Sequence, residues 1–292
     1  MKGKNMSDHW KGIAITTLGI LLVTPDTVFV RVIDADALVI TFWRGLLSGI
    51  VVLILVSVIQ GRAGFTAVLN TGWLGALYTA LIASTAFGVV QAVENTSVAN
   101  VVFIFAAMPV FALIFSRLLL GEPIMQRMVI TMIAVVFGLS IIAYGSQSSQ
   151  IATIKGDLWA LYVAMSYGLA LTVLRMLRGT VMVASIPFAY IGAALIALPF
   201  IDPMQVFWDQ WPLFICHGIL IGFATCLLTI GPRYISAAEV ALLVLLESVL
   251  APLVIWAVAD EHPGHWAIAG GAVVIGALCV SNLVVLWRRS AQ

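Results

Sequence analysis

One apolar segment occurs twice in this chain and restricts its fold more than any other feature. Residues 97–123 read S-V-A-N-V-V-F-I-F-A-A-M-P-V-F-A-L-I-F-S-R-L-L-L-G-E-P, and 139 positions later residues 236–262 read S-A-A-E-V-A-L-L-V-L-L-E-S-V-L-A-P-L-V-I-W-A-V-A-D-E-H. Each copy starts on small residues, runs through apolar ones interrupted by a proline, and stops on an acid. Ser97, Ala99, Val101, Val110, Ala112 and Glu122 recur as Ser236, Ala238, Val240, Val249, Ala251 and Glu261. A run of about twenty apolar residues lets one helix cross the hydrocarbon core of a bilayer. Matched punctuation at one spacing marks the pair as an internal repeat.

The rest of the chain is of the same kind. Of its 292 residues 62% are hydrophobic and 9% charged, against about 25% charged in a soluble domain. A soluble fold would expose apolar surface on every side. Ten candidate spans lie at roughly 10–32, 37–59, 72–93, 98–118, 124–145, 156–178, 185–201, 211–232, 236–258 and 264–287. Their continuous runs lack the alternation of barrel strands. The expected fold is therefore an all-α membrane protein of ten transmembrane helices joined by short loops. Pro25-Asp26 interrupts the first run and no small-residue cleavage site follows, so that run is expected to remain as a span. Cys216, Cys226 and Cys279 sit within apolar runs, with neither metal spacing nor a disulfide framework.

Charge predicts orientation. With the N-terminus in the cytoplasm, Lys2, Lys4, Lys11, Arg62, Arg117, Arg127, Arg175, Arg178, Arg233, Arg288 and Arg289 lie inside. Only Arg31 and Lys155 lie outside, and Arg44 falls within a span. Asp34, Asp36, Asp157, Asp202, Asp209, Asp260 and Glu261 all fall outside. This positive-inside bias predicts that both termini are cytoplasmic. The polar linker at 145–154 divides the chain into halves, 1–149 and 150–292, of five spans each. Five is odd, so the second half must be inverted. Lys11-Gly12 before the first span and Lys155-Gly156 before the sixth repeat the same start. Inverted repeats place a site between the halves near the midplane and give two related shapes, open to opposite sides.

The candidate residues each allow two readings. Asp26 and Arg44 lie six and seven residues from the outer ends of spans 1 and 2, both ~9–10 Å deep at 1.5 Å per residue. They are an outer gate or a binding group for a zwitterion, or else a structural ion pair. Glu247 sits at the middle of span 9. It serves proton coupling or a substrate amine, or it bonds backbone loosened by Pro252. Ser84, Gly88, Gln91 and Asn95 share one stripe of span 3, either a cavity wall or helix–helix contact; Tyr78 lies beside it. Trp159, Tyr162 and Ser166 share a face of span 6 with Tyr167 adjacent, and Asn100, Phe103 and Ala107 share a face of span 4. Aromatic walls suit flat apolar groups and attract amines, although aromatics on helices more often pack. His217, six residues into span 8, is a proton or ligand site near neutral pH or a hydrogen-bonded structural histidine. Gly45-x-x-x-Gly49 and Gly218-x-x-x-Gly222 predict close helix contacts, and Pro25, Pro109, Pro187, Pro212 and Pro252 are candidate hinges or first-turn prolines.

No zinc-protease, nucleophile-elbow or Walker motif is present, so neither an enzyme nor a nucleotide-driven pump is expected, and no cofactor, metal or nucleic-acid partner. The motifs F-W-R-G-L (42–46), A-A-M-P-V (106–110) with its stop L-G-E-P, and L-L-E-S-V-L-A-P-L (245–253) with its stop A-D-E-H-P resemble the EamA-type carriers of the drug/metabolite transporter superfamily. The resemblance covers the whole chain. The family more often has Glu-Pro where Glu247-Ser248 stands here, and an aromatic–glycine pair near Thr24-Pro25-Asp26. The resemblance implies a substrate cavity among spans 1, 3, 4, 6, 8 and 9, which favours Tyr78, Phe103 and Tyr167. It also implies a bacterial inner-membrane carrier that exports small amphipathic metabolites, aromatic or hydrophobic amino acids first; five spans per half already make a closed unit, so a monomer is expected. A proton-coupled exporter of drugs or organic cations is the alternative. A non-transporting membrane subunit or intramembrane enzyme is a third class, which the short loops disfavour.

Overall fold

The computed structural model describes residues 6–123, 126–146, 152–231, 234–235 and 237–290. Lys2, Lys4, Arg233, Ser236 and the linker residues 147–151 lie outside the described residues, as do the side chains of Arg127, Ala238, Arg288 and Arg289. The described chain is helical: α1 (Met6–Val23), α2 (Asp26–Val32), α3 (Ala37–Ile59), α4 (Gly61–Leu69), α5 (Trp73–Asn95), α6 (Val98–Phe105), α7 (Met108–Leu120), α8 (Gln126–Ser146), α9 (Ile154–Met176), α10 (Ile186–Ala197), α11 (Phe207–Ile230), α12 (Ala237–Ala259) and α13 (His265–Ser290). Among the described residues nine helices or helix pairs are long and apolar enough to cross a membrane, against the ten expected; Leu243–Ala259 is a further, shorter apolar helix.

The packing has an internal correspondence. α1 packs on α11 and α5 on α9, while α8 pairs with α13 and α3 with α10. Exchanging the first five spans for the second five turns the α1–α11 contact into the α9–α5 contact. The same exchange leaves the other two pairs in place.

Two prolines break spans. Pro25 separates α1 from α2, and the Thr24 amide and hydroxyl both donate to the Ile20 carbonyl at 2.9 and 2.8 Å. Ala106 and Ala107 separate α6 from α7, with Pro109 in the first turn of α7. A proline has no N–H to give the turn before it, so the ladder is interrupted where water or a partner helix can take the freed groups. Pro187 lies in the first turn of α10, and Pro212 follows the non-helical Gln210 (φ −127°). Both therefore act as helix-start prolines rather than mid-span hinges. Pro252 stays inside α12 without a break.

Glycines bring the helices together. Gly45 and Gly49 face Tyr190, Ile191 and Ala194 of α10, and Gly218 and Gly222 face Leu47, Ser48 and Val51 of α3. Gly156 sits tightest against backbone, since an added Cβ would lie 2.5 Å from the Thr96 amide nitrogen and 2.6 Å from the Asn95 carbonyl oxygen. Backbone cannot turn aside as a side chain can. Gly156→Ala is expected to destabilise the fold by about 1–3 kcal/mol, the range for overpacked interiors, read as a lowered unfolding midpoint of the purified protein.

Candidate functional site

The break at Pro25 places Asp26 in the first turn of α2, inside the bundle. Arg44 reaches it from α3 through two hydrogen bonds, Nε to Oδ1 at 2.8 Å and Nη2 to Oδ2 at 2.6 Å. His217 of α11 comes from the other half, its Nε2 2.6 Å from Asp26 Oδ1. Asp26 and Arg44 are each 6% exposed and His217 is fully buried. The Phe29 ring stacks on the imidazole at 5.1 Å. His217 Nδ1 has no hydrogen-bond partner among the described residues. The carboxylate thus ties three helices together, and the charges of Asp26 and Arg44 are spent on each other.

Glu247 differs. It is half-buried on α12, and no hydrogen bond or ion pair reaches it among the described residues. It lies within electrostatic reach of Asp26 and of Tyr167 on α9. Tyr167 is in turn within such reach of Arg44, Tyr78 and Tyr190. Tyr190, on α10, pairs its hydroxyl with Thr225 at 3.2 Å. Among the described residues the structure therefore brings an unpaired carboxylate, Glu247, near the Asp26–Arg44–His217 cluster and Tyr167, with Tyr78 and Tyr190 around Tyr167.

The remaining candidates are distributed elsewhere. Tyr78 is 6% exposed within a core cluster. Ser84 and Asn95 bond their own helix, to the Leu81 and Gln91 carbonyls at 2.8 Å each, and Gln91 is half-buried. Half-buried Tyr162 meets Trp159 edge to face at 5.8 Å and lies over Gly88; Ser166 beside it is buried. Phe103 lies against Gly271 of α13, where an added Cβ would come 2.5 Å from its ring. It therefore fills the core, 8% exposed. Asn100, expected on a cavity wall, is 3% exposed in a polar cluster that lines a pocket with Ser97, Ser146 and Trp266. There its Nδ2 donates to Ser146 Oγ at 2.8 Å and to Asp157 Oδ1 at 3.0 Å. Asp157 also accepts from Thr96 Oγ1 at 2.8 Å and from Ser146.

Beside this cluster lies an ion pair that sequence reasoning missed. Arg31 Nε is 2.9 Å from Glu261 Oε2, and Arg31 Nη2 donates to the Thr96 carbonyl at 2.7 Å. Glu261 Oε1 accepts from the amide of Val98, the first residue of α6, at 2.7 Å. Asp157 and Glu261 read in the sequence as acids at the outer ends of spans; only the structure shows them to be buried.

The family model of the EamA-like transporter family matches the chain twice, at residues 10–144 and 154–283. A crystal structure of a protein 17% identical to the chain covers 97% of it and 99% of its own length, with a TM-score of 0.63, and shows the same fold. No curated protein matches. With two matching copies over nearly its whole length, in a bundle of apolar helices whose pairings interchange between the halves, the chain belongs to the EamA-like transporter family.

Proposed function

We propose that this multi-pass membrane protein is a secondary carrier that exports small amphipathic molecules bearing an amine, with aromatic and hydrophobic amino acids as the first candidates. Its halves, 1–149 and 150–292, would form a ten-span inverted repeat with cytoplasmic termini in a bacterial inner membrane, working as a monomer by alternating access. The observation that carries the reading is Glu247, a half-buried carboxylate without a partner among the described residues and within reach of Tyr167. A lone carboxylate near the bilayer centre is unfavourable by about 2.5–3.5 kcal/mol. It persists where a cation, a proton or water meets it. Tyr167 within its reach suits an ammonium carried on a flat apolar body. The break at Ala106–Ala107 adds a second helix start in mid-span, at Met108, the polarity that favours an anionic group.

One observation favours a second reading, a proton-coupled exporter of organic cations. The guanidinium of Arg44 is occupied by Asp26, so it is not free for a substrate carboxylate. Counterflow in proteoliposomes separates the readings. Exchange of labelled phenylalanine without a pH gradient supports the amino acid carrier. Movement of an organic cation that needs a pH gradient, with no amino acid exchange, would replace it by the cation exporter.

A further inference from the structure

The two ends of the bundle carry the same set of residues in two different states. At one end Glu261, 8% exposed, is docked on the first amide of α6 and paired with Arg31. At the other end stand Glu122, 139 positions before Glu261, and Arg175, 144 positions after Arg31. These two are paired only at 3.4 Å, with side chains 50% and 54% exposed. The residue 139 positions after Val98 is Ala237, which opens α12. Among the described residues the Glu122 carboxylate meets Arg175, and its own amide donates to the Ser116 carbonyl at 3.4 Å.

A third matched part shows the same difference. Gly156 packs on Asn95 and Thr96, and Gly12, 144 positions earlier, packs on Tyr234 and Ile235, each 139 positions later. A Cβ on Gly156 would come within 2.6 Å of backbone atoms, whereas the nearest backbone atom to a Cβ on Gly12 is 3.3 Å away. The backbones are closer at the end where the glutamate is docked.

We propose that Arg31–Glu261 and Arg175–Glu122 are alternating latches. Each closes its own end of the carrier when its glutamate caps the first amide of the opposite half's broken or proline-bearing span, α6 or α12. The chain is seen with the Glu261 latch engaged and the Glu122 latch released. By the charge bias that is the closed outer end and the open inner end. The Asp157 cluster reinforces the first latch only, because the residue 144 positions before Asp157 is Ile13. The proposal rests on the alternating-access part of the functional reading, and not on the substrate.

The test uses the full chain with its three cysteines (Cys216, Cys226, Cys279) replaced by serine and one reporter, Val102→Cys. Val102 is 2% exposed, and its carbonyl accepts from Ser248 of α12. Labelling by an impermeant maleimide is measured from the outer side of intact cells. Glu261→Gln is expected to raise the labelling rate about tenfold, the factor that a lost charge-assisted hydrogen bond brings. Glu122→Gln should lower it, since it weakens the state in which the outer end is open. The double variant should return to within about threefold of the parent, because each change offsets the other. A merely structural contact would not show this compensation. A double variant that labels as fast as Glu261→Gln, or a Glu122→Gln that labels faster than the parent, overturns the proposal. If Glu261→Gln fails to fold, Arg31→Gln serves in its place; faster labelling that Glu122→Gln offsets supports the latch, and labelling no faster than the parent refutes it. Labelling needs no substrate, so compensation without amine transport would keep the latches and discard the substrate reading.

Discussion

Asp26→Asn is expected to destabilise the protein by about 3–5 kcal/mol, the range measured when one partner of a buried ion pair is removed. The change leaves Arg44, 6% exposed, with no anion in hydrogen-bond contact, and it weakens the short contact to His217. Total stabilities are about 5–15 kcal/mol, so much of the protein should be lost from the membrane or should aggregate on extraction. Arg44→Met should cost less, because His217 still faces Asp26 Oδ1 at 2.6 Å. The double variant Asp26→Asn/Arg44→Met removes both charges and should recover most of the loss, since an apolar replacement of a buried pair is often neutral. Unfolding midpoints of the four proteins check this. A double variant no better than Asp26→Asn alone would show that Asp26 holds the fold through His217 rather than through Arg44.

The sequence made some of this arrangement legible, for physical reasons. The repeat was visible because each half must cross the same membrane, so length, small-residue starts and acidic stops recur at one spacing. The depth of Asp26 and of Arg44 follows from counting residues to a span end, and equal depth brought them into consideration together. Nothing local in span 8 places His217 beside them, because that contact depends on how the second half docks on the first, 191 positions away. Asn100 is a related case. Helical spacing assigns it a face, but only the structure shows that this face meets Ser146 of α8 and Asp157 of α9 at the wall of a pocket. Arg31 and Glu261 lie at span ends, where charge is ordinarily solvated. Their burial appears only once α12 is brought against the start of α6. The correspondence of Arg31 with Arg175 was present in the sequence, yet a match of single charges carries little weight until one pair is seen engaged and the other is not.

Glu247→Gln is expected to act in the opposite sense from Asp26→Asn, impairing transport while leaving the fold intact. No described group pairs with the carboxylate, so the amide breaks no bond among the described residues. It also relieves the charge of an insertion penalty of about 2.5–3.5 kcal/mol. The unfolding midpoint should therefore stay or rise. Transport should fall, because a hydrogen bond between an ammonium and a carboxylate contributes about 1.5–3 kcal/mol, or roughly 10–100-fold in affinity. How it falls separates the two readings. For an amino acid carrier, counterflow should survive at saturating substrate, with the half-saturation concentration raised by that factor. For a proton-coupled exporter, accumulation against a gradient should vanish at every substrate concentration, because the site that exchanges proton for cation is gone. A variant that transports with parent kinetics under both conditions would show that Glu247 meets neither proton nor amine. The partly exposed carboxylate would then be a hydrated residue of the cavity wall, and the tyrosines around Arg44 would have to account for substrate selection by themselves.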